Sequence, residues 1–149
     1  MDPEAELRHM LALFLHSILL FLTAFIVMTL SDLESDYINT RDCCDKLNPW
    51  TKPRLFGLVL LCLLPGSGPT WIPAFVAFPF MTWYFRRLYL VPKGNSGIYE
   101  PTEIRLRPFL RQSMNESICY LVFHAAAFLG LLGLLASRLS SGTTKEVPW

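Results

Sequence analysis

Long apolar runs alternate with polar stretches along this chain, and two of the runs have the length of a membrane helix. Residues 11–30 contain no acidic or basic side chain other than a histidine. Twenty residues at about 1.5 Å each make a helix of roughly 30 Å, which is the thickness of the hydrocarbon core of a bilayer. A second long run covers residues 118–136. Both runs therefore predict transmembrane helices.

Two shorter apolar runs lie between the long ones. They cover residues 55–64 and 70–85, and the sequence PGSGP at residues 65–69 separates them. Proline and glycine in this arrangement force a turn, and the first of these runs makes only about 15 Å of helix. We predict a tight hairpin in which Arg54, Arg86 and Arg87 extend to the membrane interface and the bilayer thins locally.

The composition agrees with a small polytopic membrane protein, since 52% of the residues are hydrophobic and only 17% are charged. The predicted fold is all-α, with four transmembrane helices in a single membrane domain spanning residues 1–149. We place the helices at about 10–30, 54–65, 69–90 and 115–137, and the polar loops at about 31–53 and 91–114. Within the second loop, Thr102 and Glu103 are expected to begin a short interfacial helix that runs toward Arg111.

Lysine and arginine predict the orientation. If all four segments cross, ten of the thirteen lysines and arginines lie in the two long loops and their flanks. Cytosolic loops collect positive charge, so we expect both loops in the cytosol and both termini on the lumenal or extracellular side. If the second segment does not cross, the two sides carry nearly equal charge and no orientation follows. The acidic start of the chain also lacks the basic region of a cleavable signal peptide, so we expect the first helix to be retained.

Residues that might carry catalysis or bind metal are few. His16 and His124 lie in apolar runs, where a neutral histidine bonded to a neighbouring helix is the expected role and a proton relay or metal ligand is the alternative. No motif of a nucleophile, a general base or a zinc site is present, which predicts a protein that is not an enzyme and has no cofactor. The net charge of +1 also argues against nucleic acid as a partner.

The stretch from residue 31 to residue 50 combines five acidic residues with tyrosine, isoleucine, leucine and tryptophan. One interpretation is an interfacial segment whose aromatic rings lie at headgroup depth. The other is a docking surface for a cytosolic partner or for the polar flank of a membrane protein. Cys43 and Cys44 lie in the same polar stretch, where lipid acylation is a weaker alternative to a structural role.

Three blocks of this sequence resemble the cornichon family. The first is LSDLESDYIN at residues 30–39, followed by CDKLN at residues 44–48. The second comprises VPKGN at residues 91–95, Gly97 and PTEI at residues 101–104, and the third is Phe123-His124. The resemblance implies four membrane helices with both termini outside the cytosol, as the charge pattern predicts.

The resemblance implies a cargo receptor that sorts transmembrane proteins into COPII vesicles, located in the endoplasmic reticulum membrane and in ER–Golgi vesicles. Its partners would be transmembrane cargo, COPII coat components and the lipid bilayer. The alternative is an auxiliary subunit of AMPA-type glutamate receptors. The residues implied to bind clients are Asp32, Glu34, Asp36, Tyr37, Ile38 and Asn39. Those implied to face the coat are Glu103, Ile104, Arg105 and Leu106.

The chain departs from the family pattern at three places. Residues 105–108 read RLRP, where the fungal cargo receptors have Phe-Arg-Thr-Leu. In the third segment, Ala77 and Tyr84 stand at positions that are usually asparagine. The connection from residue 48 to residue 55 lacks the extra residues of the receptor-modulating animal members. The chain therefore keeps the first block of the family pattern and differs from that pattern in the third segment and after Ile104.

Overall fold

The computed structural model of the protein describes residues 3–64, 71–90, 99 and 101–145. The described residues form helices and short connections, and they contain no strand. Two of the helices are long and apolar enough to cross a membrane. The helices are α1 (Pro3–Glu34), α2 (Thr40–Leu47), α3 (Thr51–Leu63), α4 (Trp71–Phe85), α5 (Pro101–Ile104) and α6 (Arg107–Lys145).

Helices α1 and α6 form the long antiparallel pair of the molecule. His9 bonds to the carbonyl of Leu131, and His16 bonds to His124, so contacts that move forward along α1 move backward along α6. The 32 residues of α1 extend over about 48 Å, well beyond the apolar run that predicted it. His9 and His16, which are buried and seven residues apart on α1, form a seam against α6.

Helices α3 and α4 pack as the predicted hairpin, and residues 65–69, where the sequence predicts its turn, lie outside the described residues. Helix α3 is about 20 Å long and packs closely on α1 at Gly57, where a Cβ atom would lie 2.9 Å from Leu19 Cδ2. A π-helical turn, Arg86–Leu90, continues α4 toward the second polar loop. Because α3 is shorter than a hydrocarbon core, the number of membrane crossings stays a prediction.

The two polar loops contain more helix than predicted. In the first, α1 continues to Glu34, and α2 is followed by a 3-10 turn, Asn48–Trp50, that leads directly into α3. In the second, residues 91–98 and residue 100 lie outside the described residues. The interfacial helix predicted from Thr102 toward Arg111 is interrupted, because α5 ends at Ile104 and Arg107 already begins α6.

Candidate functional site

The first block of the family resemblance folds into a defined helix ending. The N–H of Tyr37 donates to the carbonyl of Asp32 over 2.9 Å, and the N–H of Asp36 donates to the carbonyl of Leu33 over 3.2 Å. Asp36 has a φ of 60°, which is the left-handed conformation that this ending requires. The paired hydrogen bonds stop α1 and turn the chain toward α2.

Helix α2 is amphipathic and presents its apolar face to the core. The side chain of Asn39 caps its first turn by accepting a hydrogen bond from the N–H of Asp42 at 2.8 Å. Cys43, Cys44 and Leu47 are fully buried. Burial raises the pKa of the Cys43 thiol to about 12, an effect to which Cys44 adds and which Lys46 opposes. Both cysteines therefore act as buried apolar side chains, and the acylation alternative is not favoured.

Asn48 joins the two polar loops through a pair of hydrogen bonds. Its Nδ2 donates to the carbonyl of Tyr99 over 3.0 Å, while its Oδ1 accepts from the N–H of the same residue over 3.1 Å. The side-chain amide thus satisfies both backbone groups of Tyr99, whose side chain is buried. Burial also raises the pKa of the Tyr99 phenol, and the positive charges of Arg54 and Arg87 oppose that rise. The two loops consequently lie at one end of the helices.

A cleft of about 730 Å³ opens where the loops meet, and we call it the loop cleft. Glu34 and Asp36 contribute acidic groups to its lining, whereas Arg105, Arg107 and Arg111 contribute basic ones. Acidic and basic side chains thus line the same cleft, together with apolar residues. The remaining lining residues are Leu33, Ile38, Asn39, Thr40, Ile104 and Leu110.

The loop cleft brings together residues from both sets that the resemblance implied. Of the client-binding set, Glu34, Asp36, Ile38 and Asn39 line it, whereas Asp32 and Tyr37 do not. Tyr37 is 82% exposed, so its ring is available to a partner.

Of the coat-facing set, Ile104 and Arg105 line the loop cleft. Ile104 is only 3% exposed and belongs to the same buried cluster as Leu47, whereas Leu106 is 56% exposed. Glu103 is half-buried and lines a smaller cavity together with Arg86, Arg87 and Gln112. Arg105 and Leu106 are therefore the exposed members of the set.

Arg54 is enclosed by the helices, contrary to the prediction that it extends to the interface. It is 1% exposed, and its guanidinium lies 4.3 Å from the ring centre of Tyr120 and 5.1 Å from that of Tyr84. Among the described residues, its Nε and Nη2 atoms have no hydrogen-bond partner. Two aromatic faces thus stabilise a buried cation at the junction of α3, α4 and α6.

The other two arginines of that prediction behave differently from each other. Arg87 forms an ion pair with Glu116 and also donates to the hydroxyl of Ser113 at 3.2 Å, which ties the end of α4 to α6. Arg86 is exposed. Among the described residues, Arg54 and Arg87 are therefore held by neighbouring helices, and Arg86 is the exposed member of the three.

The two membrane histidines meet in the seam between α1 and α6. Their Nδ1 atoms lie 3.2 Å apart, and the ring of Phe123 packs edge-on against His16. A hydrogen bond between two Nδ1 atoms requires one ring to donate and the other to accept, so the contact links the helices. Nowhere in the described ranges do three His, Cys, Asp or Glu side chains come together in a way that could hold a metal ion.

Sequence reasoning missed Asn48, Arg54, Arg107 and Arg111 as members of these sites. Asn48 was visible only as part of a motif, and its partner follows 51 residues later. Arg107 and Arg111 stand four residues apart, which places them on one face of a helix, but that signal needs the start of α6 to be known.

The sequence of this chain is similar to a known protein family over most of its length. The family described as "Cornichon protein" matches residues 7–132, a range that includes the loop cleft, the α3–α4 hairpin and the histidine seam. The chain is 27% identical over 135 residues to Protein cornichon from Drosophila melanogaster, covering 89% of this chain and 94% of that protein.

A second relative is the ER-derived vesicles protein erv14 from Schizosaccharomyces pombe. It is 28% identical over 120 residues, which cover 80% of this chain and 83% of that protein. The residues that line the loop cleft all fall within residues 7–132, the range that matches the family, and the chain belongs to the cornichon family.

Proposed function

We propose that this protein is a cargo receptor that exports transmembrane proteins from the endoplasmic reticulum in COPII vesicles. The observation that carries the proposal is the loop cleft, where residues of the first polar block and of the segment from Ile104 to Arg111 lie together at one end of two membrane-length helices. Such a receptor must bind clients and coat at the same time. Apolar helices suit the first task, and a charged, partly exposed cleft on the cytosolic side suits the second. The name of the erv14 relative supports this location.

The proposed topology has four crossings, both loops in the cytosol and both termini in the lumen. The hydrogen bonds between Asn48 and Tyr99 support the placement of both loops on one side, because they require the α3–α4 hairpin to begin and end there. With the loops on one side, the excess of lysine and arginine lies there whether or not the tip of the hairpin reaches the far surface.

The proposed contacts follow exposure. Tyr37 and Glu34 are accessible for clients, and Arg105 and Leu106 are accessible for the coat. Ile104 instead holds α5 against α2 through its buried side chain. No catalytic step is required of this mechanism, because assembly of the coat supplies the driving force for sorting.

The test is a vesicle-budding reaction with membranes that contain the full-length protein. Arg105→Glu combined with Leu106→Ser should lower its packaging into COPII vesicles several-fold, because the two substitutions remove the proposed contacts with the coat. Both side chains are exposed, so the variant should keep its core intact. Arg41→Glu is the matched control, since Arg41 is exposed on α2 and does not line the loop cleft. Unchanged packaging of the double variant, or equal loss in the control, would contradict the assignment.

The alternative, an auxiliary subunit of glutamate receptors, has less support. The connection from Asn48 to Leu55 is a 3-10 turn that passes directly into α3, with no additional segment. Recordings from cells that express both proteins distinguish the two functions. A change in desensitisation at constant surface density of the receptor would favour modulation, whereas a change in surface density alone would favour sorting.

A further inference from the structure

A groove of about 1030 Å³ lies between α4 and α6, and we call it the α4–α6 groove. Most of its lining is apolar and comes from Pro79, Phe80 and Trp83 of α4 and Cys119 and Tyr120 of α6. Its volume is large enough for acyl chains. An apolar groove on a membrane helix is by itself unremarkable, but one end of this groove carries charge.

One stripe of side chains on the α6 wall of the groove runs from charged to apolar. Arg107, Arg111, Asn115 and Cys119 line it at intervals of four residues, so they form one stripe on the helix surface. The stripe thus passes from two cations through an amide to a small thiol. At about 1.5 Å per residue, Cys119 lies roughly 12 Å below Arg111 along the helix axis. That spacing matches the change from headgroup to acyl region in one leaflet.

The two arginines at the charged end are available to an anion. Both are exposed, and among the described residues neither lies within 4.0 Å of a carboxylate. The lining also includes Gln112 and one acidic residue, Glu116, whose carboxylate is paired with Arg87. Trp83, half-exposed on the opposite wall, stands where an indole ring suits the interface.

We propose that the α4–α6 groove binds one anionic phospholipid of the leaflet next to the loops. Arg107 and Arg111 hold the phosphate and the acidic headgroup, since guanidinium groups bind phosphate through paired hydrogen bonds. An acyl chain lies along Phe80, Cys119 and Tyr120. Basic pockets between membrane helices on the cytoplasmic side are known to select such headgroups. In the proposed topology, this is the leaflet in which anionic lipids are enriched.

The site has a consequence for the loop cleft, because Arg107 and Arg111 line both cavities. A bound headgroup would neutralise part of the positive charge that faces Glu34 and Asp36. The composition of the leaflet would then alter the electrostatic character of the cleft that is proposed to meet partners.

Native mass spectrometry of the full-length protein in detergent tests the site, with phosphatidylserine or phosphatidylcholine added at equal concentration. The wild type should retain one phosphatidylserine in preference to phosphatidylcholine. Arg107→Gln with Arg111→Gln should lower retained phosphatidylserine about thirtyfold, the loss expected for two cation–headgroup contacts. Arg41→Gln with Lys46→Gln, which removes two exposed cations outside the groove, should retain the lipid.

A second variant tests the acyl region separately. Cys119→Trp fills the groove without changing its charge and should lower retention of both lipids. Equal retention of the two lipids by the wild type, or unchanged retention in the Arg107/Arg111 variant, overturns the proposal.

The occupant in membranes is identified with a photo-reactive amino acid at position 119. A lipid-sized adduct in microsomes supports the proposal, whereas a crosslink to a client helix or to a second copy of this chain overturns it. None of these measurements depends on vesicle formation. The lipid site can therefore be refuted while the proposed role in cargo export holds, and the reverse is also true.

Discussion

Asp36 occupies a backbone conformation that most residues avoid. Its φ of 60° allows the hydrogen bonds that end α1, and aspartate adopts this conformation less readily than glycine does. A β-branched residue there would force the turn to open. Asp36 therefore has two roles: its backbone forms the turn that ends α1, and its carboxylate lines the loop cleft.

Asp36→Gly is expected to raise the free energy of unfolding by about 1 kcal/mol, because glycine reaches positive φ without steric cost. Asp36→Asn separates charge from backbone effects, since asparagine tolerates the same conformation without a charge. Asp36→Val should lower the stability. Denaturant unfolding in detergent measures all three, and a glycine variant no more stable than the asparagine variant would refute the explanation.

Individual site residues could be predicted from sequence only where they lie close together in the chain. Glu34, Asp36, Ile38 and Asn39 belong to one short motif, and they line one cleft. Asn48 was not singled out because its role depends on a backbone far along the chain. The burial of Cys43 likewise follows from the amphipathic face of α2, which is visible only once that stretch is recognised as a helix.

At the scale of elements, the aromatic enclosure of Arg54 connects α3 to α4 and α6. The guanidinium has no carboxylate within 4.0 Å among the described residues, so the tyrosine faces supply its main electrostatic compensation. Removing a tyrosine while the arginine stays should therefore destabilise the protein more than replacing the arginine itself with an apolar side chain.

A double-mutant cycle tests that contribution. Tyr120→Leu should destabilise the protein, and the loss should be smaller when Arg54 is already methionine. The coupling between Arg54→Met and Tyr120→Leu should be about 1 to 2 kcal/mol, as expected for a desolvated cation–π contact. Phe21→Leu, which alters an exposed aromatic side chain on α1, provides a control pair with Arg54→Met that should show no coupling. Additive losses for Arg54 and Tyr120 would remove the basis of the assignment.

Element prediction succeeded where one property dominates. Apolar length alone predicted α1 and α6, and the PGSGP turn predicted the break between α3 and α4. It failed in the polar loops, where helix formation depends on burying a few side chains against distant partners. Arg54 was misjudged for the same reason, because local sequence places an arginine at a helix end without revealing the tyrosines that enclose it.

At the scale of the whole molecule, the proposed topology makes a direct prediction about glycosylation. A glycosylation site appended after Trp149 through a flexible spacer should acquire a glycan in microsomes, because the C-terminal tail is expected in the lumen. Residues 115–117 read Asn-Glu-Ser, which is a natural acceptor sequence. Asn115 should stay unmodified, since only lumenal Asn-x-Ser sites are glycosylated.

Removal of glycans with an endoglycosidase, followed by electrophoresis, reads out both sites. Asn115→Gln distinguishes a shift that arises at residue 115 from one in the tail. A glycan on Asn115 would contradict the proposed orientation. So would the absence of a glycan on the appended site while a lumenal reference protein is modified.

The bridge between Asn48 and Tyr99 also constrains how the protein matures. Its two partners are 51 residues apart, and the α3–α4 hairpin lies between them, so the bridge forms only after the hairpin has been synthesised and has turned back. The His9 and His16 contacts wait still longer, because they need residues 122 and 108 positions later. A nascent chain therefore exposes its acidic first loop without the basic wall of the loop cleft, which is complete only after Arg111 has been synthesised. An unfinished chain would lack the surface that we propose for coat recruitment.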